Sequence, residues 1–151
     1  MRTTFIAAAV AALAFAGAAQ AQSANYGIDP THTFVTFEIG HFGATTNRGR
    51  FDKKEGTIQL DKAGKSGKVG ISVDGTSINT GTPGFDKHLQ SADLFDAAKH
   101  PTIKFSSTKF SFNGDKVSEV AGNLTLLGKT HPVTLKATNF GCYTNPMLKV
   151  E

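Results

Sequence analysis

The chain has no tryptophan and a single cysteine in 151 residues. One cysteine, Cys142, excludes a disulfide framework within the chain and any zinc site built on paired cysteines. It leaves a free thiol or a bond whose partner lies elsewhere. Blocks of like charge are also missing: 16 Lys and Arg face 12 Asp and Glu, and they are scattered along the chain. The net charge of +4 aids solubility and suits anionic ligands, but it lacks the clustering of a nucleic-acid binder, so no nucleic-acid partner is expected. Beyond residue 21 no stretch is apolar enough to span a bilayer, and no stable membrane insertion is expected. There is no G-x-S-x-G text around a nucleophile. The five histidines, His32, His41, His88, His100 and His131, stand in no metal-binding spacing. His32 and His41 would lie about 30 Å apart along one strand, too far to share an ion. No catalytic residue, metal or cofactor is therefore assigned.

The one long apolar run is at the start. Arg2 gives a positive beginning, residues 5–18 are apolar and rich in Ala, and Ala19-Gln20-Ala21 fits a small-x-small cleavage site. This reads as a signal peptide cleaved after Ala21, which sends residues 22–151 out of the cytoplasm, to a bacterial periplasm. Those 130 residues suit one domain with one core.

Phenylalanine is plentiful, with 12 in the chain. It has no polar handle, so its ring needs apolar neighbours. Val35, Phe37 and Ile39 alternate with Thr36, Glu38 and Gly40, the pattern of a strand with one wet and one buried face. Phe34 breaks that alternation and belongs outside or at a rim. Residues 43–49 read as a loop. Phe51 begins a second strand and Ile58 and Leu60 end it; their parities differ, which predicts a bulge near residues 54–56. Val69, Ile71 and Val73 mark a third strand, Ile103 and Phe105 a fourth, Phe110 and Phe112 a fifth. Asn113-Gly114-Asp115 reads as a hairpin turn. Leu124 and Leu126 mark a sixth strand, Val133, Leu135 and Ala137 a seventh. Between the third and fourth the rhythm changes: residues 86–98 predict a helical insert, with Phe85, Leu89, Leu94 and Phe95 as its apolar side. Short turns joining seven strands predict an all-β antiparallel barrel or sandwich.

An eight-stranded barrel is wide enough for one slender ligand. The inward residues are Val, Ile, Leu and Phe, a lining for a hydrocarbon chain. Each buried CH₂ contributes about 0.8 kcal/mol, against roughly 0 to 1 kcal/mol for an exposed ion pair, so a tail would dominate affinity. Periodicity alone leaves open a core filled by its own side chains.

Several stretches resemble the YceI-like family. Residues 26–32 (YGIDPTH) with Phe37 and His41 are similar to its opening. Gly49-Arg50-Phe51 with Gly56-Thr57-Ile58 is similar to its second strand. Residues 77–80, Asp86-Lys87-His88-Leu89, Asp93-Leu94-Phe95-Asp96 and residues 101–105 are similar to its central signature. Residues 122–128 with Pro132-Val133-Thr134-Leu135 are similar to its later hairpin. The resemblance implies a lipocalin-like antiparallel barrel, often periplasmic, that holds a polyisoprenoid or another amphiphilic lipid, with no enzymatic activity established for the family. It also implies a closing strand past residue 151 and, after a Cys-Tyr-x-x-Pro-Met stretch such as residues 142–147, a second Cys. The expectation is thus an incomplete barrel domain over residues 22–151, unclosed because the chain ends early.

The bore is expected to be lined by Val35, Phe37, Ile39, Phe51, Ile58, Ile71, Val73, Ile103, Phe105, Leu124, Leu126 and Leu135, with Leu89, Leu94 and Phe95 as a lid or plug. Arg48, Arg50 and Lys87 are candidate head-group contacts. Two other readings stand beside lipid carriage: an enzyme on lipid precursors using Asp86 and His88, and a scaffold that binds a protein, or a second copy as a homodimer, along a strand edge.

Overall fold

The computed structural model describes residues 23–139 and 141. The leader, Phe140 and Cys142 therefore lie outside the described residues. Nine strands and one α-helix follow in the order β1 (Ala24–Gly27), β2 (Val35–His41), β3 (Thr45–Phe51), β4 (Lys54–Asp61), β5 (Ser66–Asp74), β6 (Ile78–Asn79), α1 (Pro83–Leu89), β7 (Thr102–Asn113), β8 (Lys116–Leu126) and β9 (Lys129–Lys136). All pairings are antiparallel. One sheet has the order β1-β4-β5-β7-β8-β9, the other β2-β3-β6. The two are not closed into a ring by the described strands.

Two corners join the sheets. β3 passes into β4 through Asp52 and Lys53, and β5 into β6 through the 3₁₀ turn Gly75–Ser77. The corners are tied together: the Asp52 amide donates to the Ser77 carbonyl (2.9 Å), and the Asp74 amide to the Lys53 carbonyl (3.0 Å). No bulge forms at residues 54–56, where β4 pairs with β5 in unbroken register, and Phe51 ends β3 rather than opening the next strand; the parity change falls at Asp52 and Lys53, where the chain turns from one sheet to the other. Asp74 caps the 3₁₀ turn by accepting from the Thr76 amide (2.8 Å) and hydroxyl (2.6 Å). These bonds hold its carboxyl below the usual carboxylate range.

Residues 43–49 are the clearest departure from the expected loop. β3 has no apolar alternation, yet it pairs with β2 from His41↔Thr45 to Val35↔Phe51. Its strand character comes from the partner. Gly49 shows why small residues stand there: a Cβ on it would lie 2.4 Å from Cζ of Phe37, so the Phe37 ring fills the space over the glycine. The fourth and fifth expected strands are one strand, β7, interrupted by a register shift between Ser107 and Lys109. That bulge puts Phe105 and Phe110 on the same face despite their odd separation. The helical insert is shorter than its text suggested. α1 starts at Pro83, where a proline suits the first helical turn, and residues 90–100 continue as hydrogen-bonded turns.

Candidate functional site

The apolar faces of the two sheets do not make one uniform lining. At the end capped by the insert, Phe51, Val73, Ile78 and Leu89 form a buried cluster, with Val35, Phe37, Ile39, Ile71, Phe85, Phe95 and Ile103 packed against it. Three rings meet there: Phe37 and Phe51 at 5.5 Å, Phe51 and Phe95 at 5.8 Å edge to face, Phe37 and Phe95 at 6.1 Å. Edge-to-face and tilted contacts in this range are favourable beyond the area they bury. Leu89 is 1% exposed. This end is a plug of side chains.

The six-stranded sheet carries the same face onward, and the described residues leave it partly uncovered. Ile58 on β4 stands opposite Val69 on β5, Ile71 opposite Phe105 on β7, and Phe105 opposite Leu124 on β8. Gly122 pairs with Val133, and Val120 with Leu135 on β9. Leu60, Val69, Phe105 and Val117 are buried, whereas Ile58, Leu124, Leu126 and Val133 are half-buried and Leu135 is 48% exposed. Glycines deepen this wall. The Phe105 ring lies against Gly122, whose missing Cβ would sit 2.6 Å from Cζ, and the Phe110 ring lies against Gly67.

Of the fifteen expected lining residues, nine belong to the packed cluster: Val35, Phe37, Ile39, Phe51, Ile71, Val73, Leu89, Phe95 and Ile103. Five stand on the open wall: Ile58, Phe105, Leu124, Leu126 and Leu135. Leu94 points outward from the insert and is 41% exposed. Alternation missed Leu60, Val69, Val117, Gly122 and Val133 as wall residues and Ile78 as a plug residue, while Phe85, expected on the apolar side of the insert, packs against the cluster. Leu60 and Val69 could have been taken from the same alternation that gave Ile58 and Ile71. The role of Gly122 shows only in three dimensions.

The polar candidates are committed elsewhere. The Asp86 carboxylate accepts from the Thr80 amide (2.7 Å) and hydroxyl (2.6 Å), bracing the loop before α1. His88 is exposed on the last turn of that helix. Arg48 donates to Glu38 and Arg50 to Asp52, each at 2.7 Å. The Asp52 carboxyl is held below the usual range by Asn79 and then by Arg50. Asp29 is lowered likewise, by the Thr31 hydroxyl first and His32 next. Among the described residues no group of His, Cys, Asp and Glu could hold a metal ion. A cleft of about 430 Å³ at β2, β3 and β6 is lined by Phe37 and Gly49 together with Glu38, Arg48 and Arg50.

Fold and site together define a small antiparallel β protein, an unclosed barrel with a plugged end and an exposed apolar wall. Comparisons with known proteins agree with that class. The profile of the YceI-like domain matches residues 26–150. A UPF0312 protein of Pseudomonas paraeruginosa is 39% identical over 132 residues, covering 85% of this chain and 69% of that protein. Protein YceI of Escherichia coli O157:H7 is 37% identical over 149 residues, 97% of this chain and 77% of the relative. Among solved structures, Burkholderia cenocepacia BcnA superposes with a TM-score of 0.69 at 23% identity, over 78% of this chain and 74% of BcnA. A Campylobacter jejuni YceI protein gives 0.62 at 29% identity, over 81% and 72%. The chain belongs to the YceI-like family.

Proposed function

We propose that this protein is exported to the periplasm and holds the tail of an amphiphilic lipid, a polyisoprenoid or similar chain, against the open wall of its six-stranded sheet. Carriage or storage of that lipid is its role, and no catalytic step is assigned to it. The observation that carries the reading is the set of half-buried or exposed apolar side chains Ile58, Leu124, Leu126, Val133 and Leu135, which with buried Val69 and Phe105 mark one face of the sheet from β4 through β5, β7 and β8 to β9. Apolar side chains left partly uncovered together on one sheet face, rather than scattered singly, are the kind of surface that marks a binding site. The resemblance of the sequence to a family of lipid binders points the same way.

The energetics favour a tail-led mode. Methylenes laid on the wall contribute about 0.8 kcal/mol each when fully buried, and ion pairs at Arg48 or Arg50 contribute roughly 0 to 1 kcal/mol. The head group orients the ligand. The test is native mass spectrometry of protein purified from the cells that produce it, followed by solvent extraction. A single adduct with the mass of a long-chain lipid is expected. Repeated recovery of the protein with no extractable lipid contradicts the reading.

A further inference from the structure

The β2–β3 hairpin breaks a local rule at its tip. The Ala44 amide donates to the His41 carbonyl (3.0 Å) around Phe42 and Gly43, and both central residues have positive φ, 51° and 72°. Turns of this hand favour Asn-Gly, because bulky side chains rarely adopt φ near +50°. Here a phenylalanine takes the asparagine place and is 95% exposed, its ring touching only that of His41 at 4.5 Å in the described contacts. Among the described residues no contact other than the His41 ring meets the Phe42 side chain. A rule broken without local gain points to a role outside the fold.

The rest of the tip fits one kind of partner. Residues 39–47 contain no charged side chain. The first charges are Glu38 and Arg48, which face each other three rungs below His41↔Thr45, about 10 Å at roughly 3.3 Å per residue. Arg50 follows two residues on, and its guanidinium and the Lys54 ammonium lie 5.9 and 5.5 Å from the ring centre of exposed Phe34. An uncharged tip about 10 Å deep, ending in one exposed aromatic ring and bounded by the Glu38–Arg48 ion pair, matches the depth of about 5–10 Å at which interfacial segments sit in a bilayer. The turns at the other end of the molecule differ. They carry Asp61, Lys62 and Lys65, or Gly114 and Asp115, and no large apolar side chain. The β2–β3 tip is the end of the hairpin away from the corner, since β3 pairs with β6 only at Arg50 and Phe51.

We propose that Phe42 is a membrane-contacting residue: the β2–β3 hairpin dips its tip into the interface of a lipid bilayer, and the Glu38–Arg48 pair rests at head-group level. The proposal rests on the lipid-holding reading for its purpose, since a carrier must meet the membrane from which it takes or to which it gives its lipid.

The test is partitioning onto vesicles of three parts phosphatidylcholine to one part phosphatidylglycerol, using protein purified from the cells that produce it. The parent is expected to bind, and Phe42→Asn to bind about tenfold less or weaker, in line with withdrawal of one fully buried aromatic side chain. Phe42→Asn should unfold in urea at or above the parent midpoint, because Asn suits the turn, so lost binding is not lost folding. Phe42→Trp should retain binding. A parent that does not partition, or a Phe42→Asn variant that partitions like the parent, overturns the proposal and leaves the ring for a protein contact. Lipid extracted from the same preparations is read separately: bound lipid with no vesicle binding rejects this inference alone, and its absence rejects the lipid-holding reading.

Discussion

The plugged end and the open wall are built from the same side chains and differ in what covers them. At the insert end, α1 and the turns after it lay Leu89 and Phe95 over Phe37 and Phe51, and rings meet on every side. Along β4, β5, β7, β8 and β9 the same alternation runs on with no second layer over it among the described residues, and exposure rises from Phe105 through Leu124 to Leu135. One region spends its apolar surface on the fold. The other keeps it for something else. On the proposed reading the lining residues expected from periodicity divide in two: residues at the plug are expected to govern stability, and residues on the wall ligand binding.

The division makes its largest claim at Leu89. Leu89→Ala empties the best-buried site in the described core, and large-to-small changes of this kind cost about 2–5 kcal/mol. Urea titration checks it; a loss under about 1 kcal/mol would mean the plug is not a close-packed unit. A somewhat smaller effect is expected from Gly49→Ala. Its Cβ would meet the Phe37 ring at 2.4 Å and Cγ2 of Thr80 at 2.9 Å. Overpacking of about 1–3 kcal/mol follows, visible as a lowered midpoint with unchanged slope.

The wall should behave in the opposite way. Leu135→Ser is expected to change stability by no more than about 0.5 kcal/mol, as for most surface substitutions. It should nevertheless weaken retention of the bound lipid about tenfold, since each lost methylene contact is worth up to about 0.8 kcal/mol. A displacement assay with a fluorescent long-chain amphiphile separates the two quantities. Equal losses in stability and retention would erase the distinction between the regions.

The smallest effect concerns the corner that joins them. The Thr76 hydroxyl and amide lower the folded-state pKa of Asp74, so its carboxylate stabilises the folded chain at pH values above the unfolded carboxyl's pKa of about 3.9. That contribution is lost as the pH falls through the lower folded pKa. Thermal unfolding followed from pH 6 downward should show a shallower acid decline for Asp74→Asn than for the parent. Identical slopes would remove Asp74 from the account.

The strand text was legible wherever apolar residues alternate, as at Val35-Phe37-Ile39 and Val69-Ile71-Val73. It failed at Thr45–Phe51, where the strand exists because β2 pairs with it and because Gly49 makes room for a ring from across the pair. It also split β7 in two, since a bulge at residue 108 looks like a strand end when only parity is read. The candidate site was half legible. Alternation says which side chains share a face, and it gave Ile58 and Leu124 with Phe37 and Phe51. It does not say where a second layer lies, and that depends on how residues 83–100 fold back over one end. The turn at Phe42 carried its own signal in the sequence, a Phe-Gly pair where Asn-Gly is the usual choice, but its meaning needed the positive φ and the exposed ring.

The most direct measurement of the central claim is methyl NMR of the protein loaded with a long-chain lipid spin-labelled in its tail. The account predicts strong broadening at Ile58, Leu124 and Leu135 and sharp signals at Leu89 and Val73. Broadening concentrated at Leu89 and Val73, with the wall methyls untouched, would contradict it.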